Sequence, residues 1–110
     1  MDYKSTENWV LSRLPSYQAI GKKAYNPGLN NVLKFVSILD LPIENLNLIH
    51  VGGTNGKGST SSYISSILQE SNYKVGMFSS PHFFDFRERI KINNQKIKKT
   101  FIVDFVNDNK

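Results

Sequence analysis

One short stretch of the sequence concentrates the residue types that bind phosphate. It reads HVGGTNGKGST over residues 50–60, with four glycines, one lysine and three hydroxyl side chains in eleven positions. Glycines let backbone N–H groups face an anion without a Cβ in the way, and a lysine beside them reaches the terminal phosphates of a nucleotide. A hydroxyl group just beyond that lysine is placed to contact Mg²⁺. We therefore predict that Lys57 contacts nucleotide phosphates and that Ser59 or Thr60 contacts the metal.

The stretch departs from the strict pattern G-x-x-x-x-G-K-[ST] at two positions, because Val51 replaces the first glycine and Gly58 replaces the hydroxyl residue. A flexible linker and an Asn-Gly hairpin fit less well, since a buried strand is predicted before the stretch and an amphipathic helix after it. A tight turn between strand and helix, with a solvated lysine, remains the alternative. The residues predicted to bind the nucleotide are Gly53, Thr54, Asn55, Gly56, Lys57, Gly58, Ser59 and Thr60.

Two helices are predicted ahead of this loop. The first takes Ser5 or Thr6 as its N-cap and ends at Pro15. A turn-rich connector over residues 16–28 leads to the second helix, over residues 29–39, whose apolar positions recur at helical spacing. Both helices precede the residues predicted to bind phosphate.

The segments around the loop predict an α/β fold. A strand over residues 46–51, a helix over residues 59–70 and a strand over residues 74–78 form the order of a βαβ unit, with parallel strands and a right-handed crossover. ERIKI and QKI, on either side of Asn93 and Asn94, predict a hairpin because asparagine tolerates positive φ. A last helix is predicted behind Thr100 as its cap.

Bulk properties exclude several classes of protein. The 110-residue chain has no cysteine, and therefore neither a disulfide framework nor a thiol nucleophile. No apolar run approaches the roughly 18 residues needed to cross a bilayer. Its formal net charge of +5 is concentrated in residues 87–99, where lysines that guard a sheet edge are the simplest explanation. We expect a cytoplasmic monomer that binds small molecules and takes neither nucleic acid nor a membrane as its partner.

The domain organisation expected from these elements is one incomplete domain. Residues 1–45 are predicted as a helical lead-in, and residues 46–110 as the phosphate-binding βαβ unit with a following loop. Because parallel sheets are normally covered on both faces and this pattern supplies only two parallel strands, we expect the chain to be the beginning of a larger domain.

Two motifs at a fixed separation resemble one family of ATP-dependent ligases. GTNGKGST, residues 53–60, resembles the nucleotide loop of the folylpolyglutamate synthase and dihydrofolate synthase family, within the Mur-ligase-like group. FSSPHFFDFRERIKIN, residues 78–93, is similar to the second signature of that family, and LPSYQAIGKKAYNPGL is similar to its start. Mur peptide ligases usually carry Lys-Thr where this chain has Lys57-Gly58, so the resemblance favours the folate branch.

The resemblance implies an enzyme in which ATP phosphorylates a carboxylate of dihydropteroate or of a folate glutamate tail. The amine of an incoming L-glutamate then attacks the acyl phosphate. Lys57 would be the catalytic lysine, and Ser80 would join Ser59 as a ligand of Mg²⁺. Phe83, Phe84 and Phe86 are expected either to form an apolar wall or to be core residues. The residues implied in substrate binding are Ser80, Pro81, His82, Phe83 and Arg87.

The resemblance also implies parts of the enzyme that lie beyond Lys110. They are an acidic Mg²⁺ ligand, a metal-binding histidine, a modified lysine and a C-terminal domain. We expect negligible ligase activity from these 110 residues alone, because the acceptor amine and the acyl phosphate are not held together. The alternatives are a non-catalytic remnant that binds nucleotide, and a P-loop NTPase or Mur peptide ligase relative. Glu88 is expected to pair with the arginines on either side of it.

Overall fold

The computed structural model describes residues 1–13 and 28–110. The chain divides into two units, of which one comprises residues 1–12 and 51–110 and the other comprises residues 13–50. No helix in the described ranges is long and apolar enough to cross a membrane.

The first helix, α1, spans Tyr3–Arg13 and begins earlier than predicted. The carboxylate of Asp2 accepts the backbone N–H of Ser5 at 2.8 Å, so Asp2 caps the helix. The prediction of Ser5 or Thr6 as the cap is wrong, because an acceptor one turn earlier already satisfies the free N–H groups. Thr6 is fully buried and donates its hydroxyl to the carbonyl of Asp2. The predicted stop at Pro15 and connector residues 16–27 lie outside the described residues.

The unit of residues 13–50 contains the second predicted helix. This helix, α2, spans Asn30–Ile38, which confirms the helical spacing, and a 3₁₀ turn follows at Ile43–Asn45. The strand predicted over residues 46–51 is wrong, because no strand is present there in the described part of the chain. A strand needs a neighbour to pair its backbone N–H and C=O groups, and no described segment pairs with this one.

The third helix and the sheet belong to the other unit. Helix α3 spans Lys57–Glu70, which confirms the predicted helix but begins two residues earlier, and strand β1 follows at Gly76–Phe78. Strands β2, Ile90–Ile92, and β3, Gln95–Lys96, complete an antiparallel sheet in the order β1-β2-β3. The fold is therefore α/β, but the predicted parallel βαβ unit is wrong, since its first strand is not formed and β1 pairs with β2 in the antiparallel sense.

The hairpin between β2 and β3 turns at two asparagines, as predicted. Asn93 and Asn94 have φ values of 49° and 64°, the left-handed region that tight hairpin turns require. The side chain of Asn93 also accepts the N–H of Val75 at 2.9 Å, and its own N–H donates to the carbonyl of Val75 at 2.8 Å. The turn is thus tied to the residue that precedes β1.

The last helix, α4, spans Lys99–Asn109 and supplies most of the apolar core. Thr100 lies inside the helix and Lys98 precedes it without a side-chain cap, so the predicted Thr100 cap is wrong. Ile102 and Val106 on α4 are buried together with Ile97. The half-buried residues packed against them are Tyr3, Trp9, Val10, Phe86 and Ile90. Helix α1 and the sheet therefore share one small core with α4.

Candidate functional site

The start of α3 presents backbone N–H groups that no side chain caps. Gly56 precedes the helix with φ +77°, a conformation that residues with a Cβ rarely adopt, and it offers no side chain to the helix. The first intrahelical bond of this turn runs from the N–H of Thr60 to the carbonyl of Gly56 at 2.9 Å. The N–H groups before Thr60 therefore keep the positive end of the helix dipole available to an anion.

The side chain of Lys57 folds back over the glycine loop, which comprises residues 53–60. Its ammonium group donates to the carbonyl of Gly53 at 2.6 Å and approaches that of Thr54 at 3.4 Å. Gly53 has φ +150°, so the chain turns there in a way that favours glycine. The ammonium group is thereby held against the loop that leads into α3.

One cleft of about 780 Å³ joins this loop to the second motif. From the glycine loop it is lined by the residues from Thr54 to Ser59, and from the second motif by Ser80, Pro81 and Phe83. Gly53, Thr60, His82 and Arg87, also predicted as site residues, are not among the lining residues. The two motifs, about twenty residues apart in sequence, thus meet around a single space.

Sequence reasoning missed a second group of cleft residues. They are Ser62, Tyr63, Met77, Ser79, Glu88 and Lys91. The sequence carried a signal for Lys91, because side chains alternate along a strand and Lys91 lies between Ile90 and Ile92. Met77 is the partner of Lys91 across the ladder, so these two side chains share one face of the sheet.

Asp85 connects the segment after the cleft to α1. Its carboxylate accepts the hydroxyl of Tyr3 at 2.8 Å and the guanidinium of Arg87 at 2.8 Å. The hydrogen bonds from Arg87, together with the one from Tyr3, hold the pKa of Asp85 well below its usual value of 3.8. Burial, assisted by the bond to Asp85, raises the pKa of Tyr3 to about 12. The guanidinium of Arg87 thus donates hydrogen bonds to the carboxylate of Asp85 and, at 3.3 Å, to the carbonyl of Ile97.

Glu88 orders the backbone that leads from the cleft to the 3₁₀ turn at Phe86–Arg89. Its carboxylate accepts the N–H groups of Phe83, Phe84 and Asp85 at 3.1, 2.9 and 2.6 Å. These bonds lower the pKa of Glu88, and with Asp85 they form a capping box. The expectation that Glu88 pairs with the flanking arginines is wrong, because backbone donors occupy its oxygens.

The aromatic residues of the second motif divide into two roles. Phe86 packs against the core and lies 5.8 Å from the ring of His82. The guanidinium of Arg89 donates to Nδ1 of His82 at 2.8 Å and lies over the ring of Phe86. The side chains of Phe83 and Phe84 are instead 83% and 97% exposed, and that of Phe83 lines the cleft. Core packing accounts for Phe86 only.

The Asp85 contacts predict an acid-sensitive stability. Because the pKa of Asp85 is depressed in the folded state, its contribution is complete above the ordinary value of 3.8 and is lost as the pH falls below it. We expect Asp85→Asn to be less stable than the wild type at pH 7 and to lose less stability between pH 5 and pH 2. Urea unfolding at several pH values measures both. Parallel pH dependence of the two proteins would contradict this assignment.

Among the described residues, no group of three or more histidine, cysteine, aspartate or glutamate side chains is arranged to hold a metal ion. Ser59 and Ser80 both line the cleft, and each carries a hydroxyl group. Mg²⁺ retains several waters and binds nucleotide phosphates with only one or two protein ligands, so such a donor set is compatible with a phosphate-bound ion.

Comparison with known proteins gives a consistent set of relatives, although no family model matches the chain. The dihydrofolate synthase/folylpolyglutamate synthase of Bacillus subtilis is 40% identical over 91 residues, which are 83% of this chain and 20% of that protein. A probable bifunctional folylpolyglutamate synthase/dihydropteroate synthase of Haloferax volcanii is 39% identical over 106 residues, 96% of this chain and 12% of that protein.

Solved structures agree with these sequences. Folylpolyglutamate synthetase from Lactobacillus casei superposes with a TM-score of 0.81 at 31% identity, over 97% of this chain and 25% of that one. A folylpolyglutamate synthase in complex with AMPPCP and folate gives 0.79 at 29% identity, over 98% and 25%. A bifunctional enzyme with Mn, AMPPNP and L-glutamate bound gives 0.68 at 30% identity, over 90% and 23%. This chain thus spans about a quarter or less of the proteins it matches.

Proposed function

We propose that this chain, whose sequence and fold are those of a segment of the folylpolyglutamate synthase/dihydrofolate synthase family, binds the phosphates of ATP for an acid–amino-acid ligase. The ligase would join L-glutamate to a carboxylate of folate or dihydropteroate. The observation that carries the proposal is the cleft in which the glycine loop meets Ser80, Pro81 and Phe83. Related structures holding AMPPCP and folate, or AMPPNP and L-glutamate, support it.

The proposed chemistry has two steps. A carboxylate oxygen of the pteroyl substrate attacks the γ-phosphorus of ATP, and ADP leaves. The amine of L-glutamate then attacks the carbonyl carbon of the acyl phosphate, so that the C–O bond to phosphate breaks, an amide forms and the amine loses a proton. Phosphoryl transfer depends mainly on positioning and on neutralising charge, which backbone N–H groups and a lysine can supply.

The residues of this chain would act on the first step. The uncapped N–H groups at the start of α3 would bind the phosphates, and the ammonium of Lys57 would exchange its loop carbonyls for a terminal phosphate oxygen. Ser59 and Ser80 would hold Mg²⁺, which supplies positive charge to the transferring phosphoryl group when it is bound. The exposed ring of Phe83 would offer an apolar surface to the pterin.

We further propose that the protein acts as a monomer in the cytoplasm, where ATP is available. Size-exclusion chromatography with light scattering measures the first part directly. A stable dimer at micromolar concentration would contradict it.

A chimeric enzyme tests the proposed function. The segment of the Bacillus subtilis relative that matches this chain is replaced by the corresponding residues of this chain, and ADP release is measured. We expect release that requires both a pteroyl substrate and L-glutamate, and the same chimera with Lys57→Ala serves as the inactive control. A folded chimera that binds nucleotide but never responds to glutamate would favour the alternative, a non-catalytic nucleotide-binding module.

A further inference from the structure

The cleft contains two lysines in different electrostatic situations. The ammonium group of Lys57 already donates to the carbonyl groups of its own loop. Lys91 is half-buried and lines the same cleft from β2, opposite Met77. Within the described parts of the chain, the ammonium group of Lys91 has no hydrogen bond or ion pair. Lys91 is therefore a cation whose partner the described chain does not supply.

The surroundings of Lys91 make the lack of a partner for its ammonium group energetically unfavourable. Its partner across the β2–β3 ladder is Lys96, so two positive side chains are directly opposite each other on one face of the sheet. Among the described lining residues, the only carboxylate is that of Glu88, which accepts three backbone N–H groups and interacts electrostatically with Lys96. Such a pair of like charges weakens a small sheet, and local violations of this kind occur at functional sites.

We infer that Lys91 is a specificity-determining residue whose ammonium group binds the carboxylate of the pteroyl substrate. This inference rests on the proposed function. It concerns the substrate carboxylate, whereas the glycine loop would bind the phosphates of ATP. The phosphates have their own donors at the start of α3, whereas Lys91 lies on the strand that directly follows the segment of Phe83 and Glu88. A carboxylate at Lys91 would also offset the repulsion from Lys96.

Binding of matched ligands to the 110-residue chain tests the inference. The probes are pteroic acid, its uncharged methyl ester and Mg-AMPPCP, each titrated by calorimetry into the wild type, Lys91→Met and Lys96→Met. We expect Lys91→Met to weaken pteroate binding by about tenfold, the value of one charge-assisted hydrogen bond, and to leave the ester and AMPPCP unchanged. Lys96→Met removes the same charge from the same ladder pair and should keep the preference for the acid.

Other outcomes would overturn the inference. If Lys91→Met weakens AMPPCP instead, or weakens acid and ester equally, Lys91 does not bind the carboxylate. If the wild type binds AMPPCP but not pteroate, the inference fails and the nucleotide site remains, whereas binding of neither ligand would also overturn the proposed function. Lys91→Arg keeps the charge and should keep the preference for the acid, which provides a second variant if the methionine variant does not fold.

Discussion

Lys57→Ala is expected to weaken the binding of Mg-AMPPCP by at least about tenfold, because a charge-assisted hydrogen bond to phosphate contributes about 1.5–3 kcal/mol. The lysine side chain reaches the carbonyl of Gly53 in the glycine loop, so its removal takes away both the proposed phosphate donor and a contact within the loop. Isothermal titration calorimetry on both proteins measures the ratio of dissociation constants.

The matched control is Lys74→Ala, which removes an equal charge from an exposed position before β1. It should leave the affinity within about twofold, since screening reduces the effect of a distant surface charge. Far-ultraviolet circular dichroism should be the same for all three proteins. Equal nucleotide affinity in the wild type and Lys57→Ala would refute the phosphate role of Lys57 and leave the tight-turn interpretation of the loop.

Ile102→Ala is expected to lower the free energy of unfolding of the unit of residues 1–12 and 51–110 by about 2–4 kcal/mol. Ile102 is 6% exposed, and only Ile97 and Val106 are comparably buried among the described apolar side chains. A core this small has few neighbours that can close around a cavity. Total stabilities of domains are only about 5–15 kcal/mol, so a large part of the unit's stability is lost.

Phe101→Ala is the control for this substitution. Phe101 precedes Ile102 on α4 and has the larger side chain, but it is 60% exposed, and its ring is stacked with that of Phe105 at a centroid distance of 6.4 Å. We expect its removal to cost less than half as much. Urea unfolding followed by circular dichroism gives both values, and a larger loss for Phe101→Ala would show that the core has been placed on the wrong face of α4.

Features that depend on neighbouring residues in sequence could be predicted. The apolar spacing alone was sufficient to predict α2 and α3, because a helix satisfies its own backbone hydrogen bonds and needs no partner segment. The Asn93–Asn94 turn followed from the tolerance of asparagine for positive φ. The meeting of the two motifs was implied by a resemblance and not by any spacing.

Features that depend on distant partners could not be predicted. An apolar run such as residues 46–51 becomes a strand only where another strand is available, and the sequence does not show whether one is. Glu88 stands between two arginines in sequence, but adjacent side chains of a turn do not face each other, and the N–H groups of Phe83 to Asp85 compete for its carboxylate. Likewise, the residue that caps α1 is Asp2 and not Ser5 or Thr6, the two predicted caps.

The bonds from Glu88 have a consequence for the thermodynamics of recognition. They fix the backbone of Phe83 and Phe84 while leaving both aromatic rings in solvent. The conformational entropy of this segment is therefore lost when the protein folds, and not when a ligand arrives. A flat aromatic ligand would meet a surface that is already in place, so its association should proceed without a slow ordering step and its affinity should reflect stacking more directly.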